Sequence, residues 1–408
     1  MLSLNFGFPS IKRGPSFRIG MSVDGKNYLP LQKLNRACTN ATRREAMPMR
    51  IWIVASVAIA MFYAVTAGSD ALTLDGSPKP VFLYAGPKDD AGWNQSFDQA
   101  RTRLQSALHT TIPYTEVGVD TDIRTVAEDY IKQGDNIVVG DSAKYSTAFK
   151  DLAEKYANVA FINISDDIVD APRMPNFESI YGRSYEGQYM CGVVAGLTSK
   201  KANIGFLALR PSPIVNWEIN GYAIGVRRTK PDATVHVVFI GEANSANERA
   251  AASALIDRGA DVLGQSIDGP TPQLVAQERG ALATGHAVDL HDIAPKSALC
   301  ASIWVWDKYL APEIQKIAAG NWQADSDSVL VGQTRGGVDI ACCSKDLTEE
   351  MMAKLLDERD GIIISGKQVF AGPLMGNDGR ERVPAGGVLG DAELRAMDWY
   401  VNGVVIDR

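Results

Sequence analysis

From Pro78 onward, short β-branched runs alternate with amphipathic stretches, and no other feature constrains the fold as tightly. Strands are predicted at 81–84 (VFLY), 112–117, 136–139, 159–164 (VAFINI) and 179–181. Helices are predicted between them at 93–109, 123–132 and 145–156. The pattern then restarts, with strands at 204–207, 234–240 (TVHVVFI), 262–266 and 286–290. Helices at 215–226, 246–257 and 272–279 separate these strands. A helix at 306–319, a strand at 328–332 and a helix at 351–365 follow. Such alternation builds right-handed βαβ units and a parallel sheet flanked by helices. Two successive rounds without a long linker predict an α/β protein of two similar lobes. The first lobe spans 78–200, completed by parts of 301–325 and the C-terminal region. The second spans 201–300, completed by parts of 326–408, so several hinge strands join the two. A chain of 408 residues is long enough for a core in each lobe.

Two open α/β lobes facing each other create a cleft at the carboxyl ends of their strands, where ligands bind in such sheets. The strand-to-helix junctions carry polar and aromatic residues at that end. Asp89-Asp-Ala-Gly-Trp93-Asn94 follows the first strand, Gly140-Asp-Ser142 the third and Gly182-Arg183 the fifth. Asp268 follows VLGQSI, Asp289 follows HAV, and Trp304 and Trp306 lie just before and within the next helix. Aromatic faces stack on flat heterocycles, and carboxylates accept from ring N–H, amine or hydroxyl donors. This set suits a neutral planar ligand better than a phosphate. Aspartates at strand ends are often caps and tryptophans in helices are often core, so the repetition at one end of successive strands carries the inference.

Catalytic signatures are missing. No GxGxxG follows a strand, and GxxxxGK[ST], HExxH and GxSxG do not occur. His286 and His291 flank Asp289 as a conceivable acid/base cluster, but no nucleophile elbow stands beside them. Four histidines and no clustered cysteine pairs argue against a structural zinc, and no cofactor motif is present.

Charge is unevenly spread. Residues 1–50 carry nine basic groups against two acidic ones, which leaves 32 basic against 46 acidic groups in the remainder. So acidic a body repels phosphate backbones and speaks against a nucleic-acid partner. No charge occurs between Arg50 and Asp70, and residues 51–65 read IWIVASVAIAMFYAV. Val65-Thr-Ala67 supplies small residues before a cleavage point after Ala67. Residues 47–67 therefore read as a secretory signal peptide, with an uncleaved membrane anchor as the alternative. Residues 1–46 read as a disordered preface, or as sequence upstream of a true start at Met47 or Met49. No cysteine follows the apolar stretch to bear a lipid, so the expected product is a soluble periplasmic protein. Cys191, Cys300, Cys342 and Cys343 read as buried thiols, although an oxidising compartment permits a disulfide. Cys342 and Cys343 are unsuited to each other, since adjacent Cα atoms lie only ~3.8 Å apart.

From about Pro78 to Val405 the chain also resembles the BMP (basic membrane protein, PnrA-like) substrate-binding proteins of ABC transporters. The matching stretches are DAGWNQSFDQAR at 90–101, YGRSYEGQYMCGVVAGLTSK at 181–200, NWEINGYAIGVR at 216–227 and ALIDRGADVLGQSIDGP at 254–270. The segment 304–309 and the terminal GPLMGNDGRERVPAGG and MDWYVNGVV complete them. The resemblance implies the type I periplasmic-binding fold, no catalysis, and delivery of ligand to permease subunits in the inner membrane. Members bind purine nucleosides, and the branch resembled here takes nucleobases such as adenine. By that likeness Trp93 stacks on the purine and Asn94 bonds its edge. Arg183, Asp268 and Asp289 match polar positions facing the cleft, and Trp217 and Asn220 approach from the second-lobe helix; Ser142 and Trp304 join the candidate set from their places at the strand ends. Phe97 stands where relatives often have histidine, and Gly269 where serine is usual. The expectation is a monomeric, exported binding protein for a purine base or nucleoside. The alternatives are a membrane-anchored sensing receptor or regulator of the same fold, and a nucleoside-processing enzyme using His286 or His291.

Overall fold

Runs such as VFLY and AFINI are buried along their whole length, a condition met inside a parallel sheet covered on both faces. The computed structural model describes residues 72–165, 174–324, 329–342 and 344–407. The expected leader at 47–67, the preface before it and Cys343 lie outside the described residues.

Two such sheets form. The first runs in the order β2 (Tyr114–Glu116), β1 (Pro80–Tyr84), β3 (Ile137–Gly140), β4 (Ala160–Ile164), β5 (Phe177–Gly182) and β11 (Val329–Val331), all neighbours parallel. The second runs β7 (Thr234–Phe239), β6 (Asn203–Ala208), β8 (Val262–Gln265), β9 (Leu282–Ala287), β10 (Ala298–Trp304) and β12 (Val338–Cys342). Here β12 is antiparallel to β10, and β15 (Val404–Ile406) adds to β7 at the far edge. A short hairpin, β13 (Leu374–Met375) and β14 (Glu381–Val383), stands apart. The first five strands of each half repeat one order, so each sheet has a switch point, at β1/β3 and at β6/β8. This is the expected two-lobed α/β architecture.

Helices α1 (Trp93–Leu108), α2 (Ile123–Lys132) and α3 (Ser146–Lys155) connect strands of the first sheet. Helices α4 (Ser184–Thr198), α5 (Pro213–Thr229), α6 (Ser245–Asp257) and α7 (Thr271–Arg279) pack on the second. Helix α4, read from sequence as part of the first lobe, lies against α5, β10 and β12 instead. It can approach α5 this closely because both helices carry glycine at the contact. A Cβ on Gly192 would lie 2.0 Å from the Tyr222 carbonyl oxygen, and one on Gly225 would lie 2.0 Å from that of Tyr189.

The chain passes between the lobes three times among the described residues: after β5, after β10 and between β11 and β12. Helix α8 (Trp306–Ala318) leaves β10 of the second sheet and packs on α1 of the first, where Trp306 meets Phe97 at 5.8 Å and Asp307 pairs with Arg103 at 2.7 Å. Helix α9 (Glu349–Ile363) rests on α4, and the short α10 (Asp391–Arg395) on α5. The cysteine expectation is corrected here. Register places Cys300 of β10 opposite Cys342 of β12, and the two form a disulfide; Cys191 is a buried free thiol.

Candidate functional site

Order reversal between β1 and β3 opens a crevice at the carboxyl end of the first sheet, and α1 begins there. Its first turn has free N–H groups that Gly92 cannot cap with a side chain. Asp90 supplies the caps. One carboxylate oxygen accepts from Asn94 N–H at 3.0 Å and from Asn94 Nδ2 at 2.7 Å, and the other accepts from Gln95 N–H at 3.0 Å. The remaining donor, Trp93 N–H, goes to Asp268 Oδ2 at 3.1 Å. Asp268 belongs to the second lobe, just past β8 at the other switch point. A backbone bond from Gly269 N–H to the Ala91 carbonyl, 3.2 Å, reinforces it. The two lobes thus meet tip to tip across the crevice. Gly92 makes the approach possible, since a Cβ there would lie 2.2 Å from Asp268 Cγ.

Behind this contact lies an aromatic wall. Trp93 packs against Tyr181 at 6.0 Å with an interplanar angle of 28°, edge-on against Trp304 at 5.4 Å, and against Phe97 at 5.2 Å. Trp304 and Trp306 stack at 4.8 Å and 13°. Trp93 and Tyr181 are only half-buried, so they are the members of the cluster with surface to offer. The Trp93 indole donates to the Asp141 carbonyl at 2.8 Å, which fixes the ring. The indole N–H groups of Trp304 and Trp306 are buried without a partner.

Carboxylates border the wall. Asp141, just past β3, accepts from Ala85 N–H at 2.7 Å through one oxygen, while its other oxygen is buried and unpartnered. Desolvation pushes its carboxyl up to about 8, helped by nearby Asp90 and opposed by the Ala85 bond. Asp268 keeps accessible surface at the rim but is crowded by protein on most sides. Desolvation raises it to about 6, against the lowering effect of the Trp93 N–H. Glu218 on α5 is wholly buried and is also raised by desolvation, with His286 and the Ser184 and Ser266 hydroxyls acting in the opposite sense.

Of the residues singled out from sequence, the structure brings Trp93, Trp304 and Asp268 together. Asn94 and Ser142 lie beside them but hold the loops: Asn94 accepts from Gly86 N–H at 3.0 Å, and Ser142 Oγ accepts from Lys144 N–H at 3.3 Å. Arg183 donates to the Leu330 carbonyl, to the Tyr185 hydroxyl at 2.8 Å and to Asp391 at 2.6 Å, fastening β5 and β11 to α10. Trp217 is 1% exposed and donates to Ser184 Oγ at 3.0 Å. Asn220 is fully buried, and its amide bonds the Trp399 carbonyl and Val401 N–H, tying down the C-terminal segment. Asp289 is exposed and accepts from His291 N–H at 3.0 Å in the turn after β9. From sequence, Asp90 and Asp141 figured in the junction loops and Tyr181 at a strand end, but none of the three was selected as a ligand residue. Asp141 follows the VVG run and directly precedes Ser142, Tyr181 lies two residues before Arg183, and Asp90 lies three before Trp93.

Among the described residues, no group of His, Cys, Asp and Glu side chains is arranged to hold a metal, and no helix is long and apolar enough to cross a membrane. Two hinged α/β lobes closing on an aromatic, carboxylate-edged crevice define a solute-binding protein of the type I periplasmic fold. A solute-binding protein of an ABC transporter from Conexibacter woesei has that fold at a TM-score of 0.61 and 18% identity, covering 71% of this chain and 97% of its own. A family model for PnrA-like ABC transporter substrate-binding proteins matches residues 78–371, and the chain belongs to that family. A purine-binding protein of Brucella abortus is 30% identical over 331 residues, 80% of this chain and 92% of its own length. A Haloferax volcanii protein, provisionally named as a glucose-binding protein of an ABC transporter, is 27% identical over 64% of this chain and 68% of its own.

Proposed function

We propose that the crevice captures a purine base or nucleoside, adenine-like by preference, and hands it to an inner-membrane permease from the periplasm without altering it. The observation that carries this reading is the partly exposed Trp93, which packs on Tyr181 and is held between the Asp268 carboxylate, through its backbone N–H, and the Asp141 carbonyl, through its indole. A flat heterocycle stacked there presents its edge to both carboxyl groups, and the Brucella relative's purine ligand agrees with that geometry. Closure excludes water and strengthens these hydrogen bonds. An acid raised to about 8 holds its proton at neutral pH, so Asp141 offers an O–H to a ring acceptor while Asp268 accepts. Release requires the lobes to part, which breaks the Asp268–Trp93 and Gly269–Ala91 bonds described above. One copy of the chain carries both walls, so a monomer suffices.

The test is a thermal-shift screen of the purified protein with adenine, adenosine, guanine, guanosine and glucose, followed by calorimetry. A ligand at a hundred times its Kd stabilises the native state by about 2.7 kcal/mol. Adenine or adenosine should raise the melting temperature most. A shift with glucose and none with any purine would overturn the purine reading in favour of a sugar.

A further inference from the structure

His286 sits near the end of β9, which lies between β8 and β10 inside the second sheet. Its neighbours Gly285 and Ala287 are buried, yet His286 retains accessible surface. For an interior strand whose faces are covered by helices, solvent reaches that position from the carboxyl end, and that end is the crevice. The imidazole stands across Trp304 at 6.3 Å and 77°, on the second-lobe side of the aromatic wall.

Hydrogen bonds fix which ring nitrogen carries the proton. Gln188 Nε2 donates to the Gln265 backbone carbonyl at 3.0 Å, and a carbonyl only accepts, so the orientation of the amide is settled. The same nitrogen lies 3.1 Å from His286 Nδ1. As an amide nitrogen it can only donate, so Nδ1 accepts and the proton resides on Nε2. The ring therefore presents an N–H whose tautomer is set before any ligand arrives. The carboxylate Asp268 and the carbonyls at the strand ends are acceptors. A purine edge carries acceptor ring nitrogens as well as donors, and an acceptor stripped of water without a partner costs ~1–3 kcal/mol.

We infer that His286 Nε2–H is the donor with which the second lobe reads an acceptor ring nitrogen of the bound purine, making His286 a specificity-determining residue and Gln188 the residue that positions it. This inference rests on the purine reading above.

The experiment is calorimetry of adenine and of 1-deaza-, 3-deaza- and 7-deazaadenine, in which one ring nitrogen at a time becomes C–H. It is run on the wild type and on His286→Phe, which keeps a ring against Trp304 but has no donor, and on His286→Gln, which restores an N–H near the same place. The wild type should bind one analogue at least tenfold more weakly than adenine. His286→Phe should lose about tenfold for adenine and bind that analogue no worse than adenine. His286→Gln should recover part of the discrimination, and Gln188→Ala should weaken it a few-fold. If His286→Phe discriminates as the wild type does, or loses affinity equally for all four compounds, the inference is overturned and the purine reading stands. If the wild type binds none of the four, the inference falls, and the purine reading falls with it only if adenosine, guanine and guanosine also fail to bind.

Discussion

The two lobes share one strand order yet contribute different chemistry to the crevice. The first presents area: Trp93, Phe97 and Tyr181, extended by Trp304 and Trp306 where the chain crosses back. The second presents direction: Asp268 at its tip and, behind it, His286, Gln188, Gln265 and the buried Glu218. Stacking tolerates many flat ligands, whereas fixed donors and acceptors choose among them. On the proposed reading the first wall mainly holds the ligand, with Asp141 its one directional group, and the second mainly selects it. The lobes also differ in support. A disulfide joins β10 to β12 in the second sheet, and the first sheet has none among its described residues.

The largest effect should come from that covalent difference. Cys300 and Cys342 close a loop with a sequence separation of 42. Loop-closure entropy for that length gives about 4 kcal/mol of stabilisation. Cys300→Ala/Cys342→Ala should therefore lower the denaturant midpoint of the second lobe, followed by fluorescence and circular dichroism. The closed loop runs through α8 and β11 of the first lobe, so separate transitions with the larger shift in the second lobe would sharpen the contrast. One transition shifting as a whole would show the lobes unfolding as a single unit and break it. Next comes the aromatic wall. Trp93→Ala removes stacking and burial of ~1–3 kcal/mol, so calorimetry should find ligand affinity reduced by about ten- to a hundredfold. Unchanged affinity would remove Trp93 from the site and leave the first lobe no distinct role.

Much of this contrast was legible in the residues, for identifiable reasons. VFLY, VAFINI and TVHVVFI announce strands because β-branched and aromatic runs suit few other structures, and the switch-point loops follow from their order. The strand at β9 was expected at His286–Leu290 and lies at Leu282–Ala287. Its sequence, LATGHA, lacks β-branched residues apart from Thr284, and at Gly285 even a Cβ would lie 2.5 Å from Gln273 Nε2. ALCASIW of β10 and VDIAC of β12 were missed in the same way, and with them the register that sets Cys300 against Cys342. Asn220 and Trp217 were placed on the correct helix, but their side chains answer to a segment 177 or more residues later and to Ser184. Spacing along α5 says which face a residue occupies and nothing about what returns to cover that face.

The smallest effect concerns Asp268, the residue through which the selecting lobe touches the holding one. Protein crowds its carboxyl on most sides although the residue keeps surface at the rim, and desolvation, with repulsion from Asp90 and Glu248, raises it from 3.8 to about 6 despite the Trp93 N–H bond. A carboxyl raised in the native state binds a proton there that the unfolded chain has already released. Between pH 4 and 6 the native form therefore holds more protons, and its stability falls as pH rises through that window. Asp141, raised to about 8, extends the same slope to higher pH from the other lobe. Glu358, lowered to about 2, acts with opposite sign below its ordinary value and outside this range. Asp268→Asn keeps an oxygen to accept from Trp93 N–H but does not titrate. The difference in melting temperature between wild type and Asp268→Asn should therefore change between pH 4 and 6 and be level above it. The corresponding difference for Asp141→Asn should continue to change up to about pH 8. Two difference curves that change together from about pH 4, one levelling near 6 and the other only near 8, would assign one titrating carboxyl to each lobe. Curves parallel to the wild type would mean that neither carboxyl is desolvated by closure, and the crevice would then be open in solution.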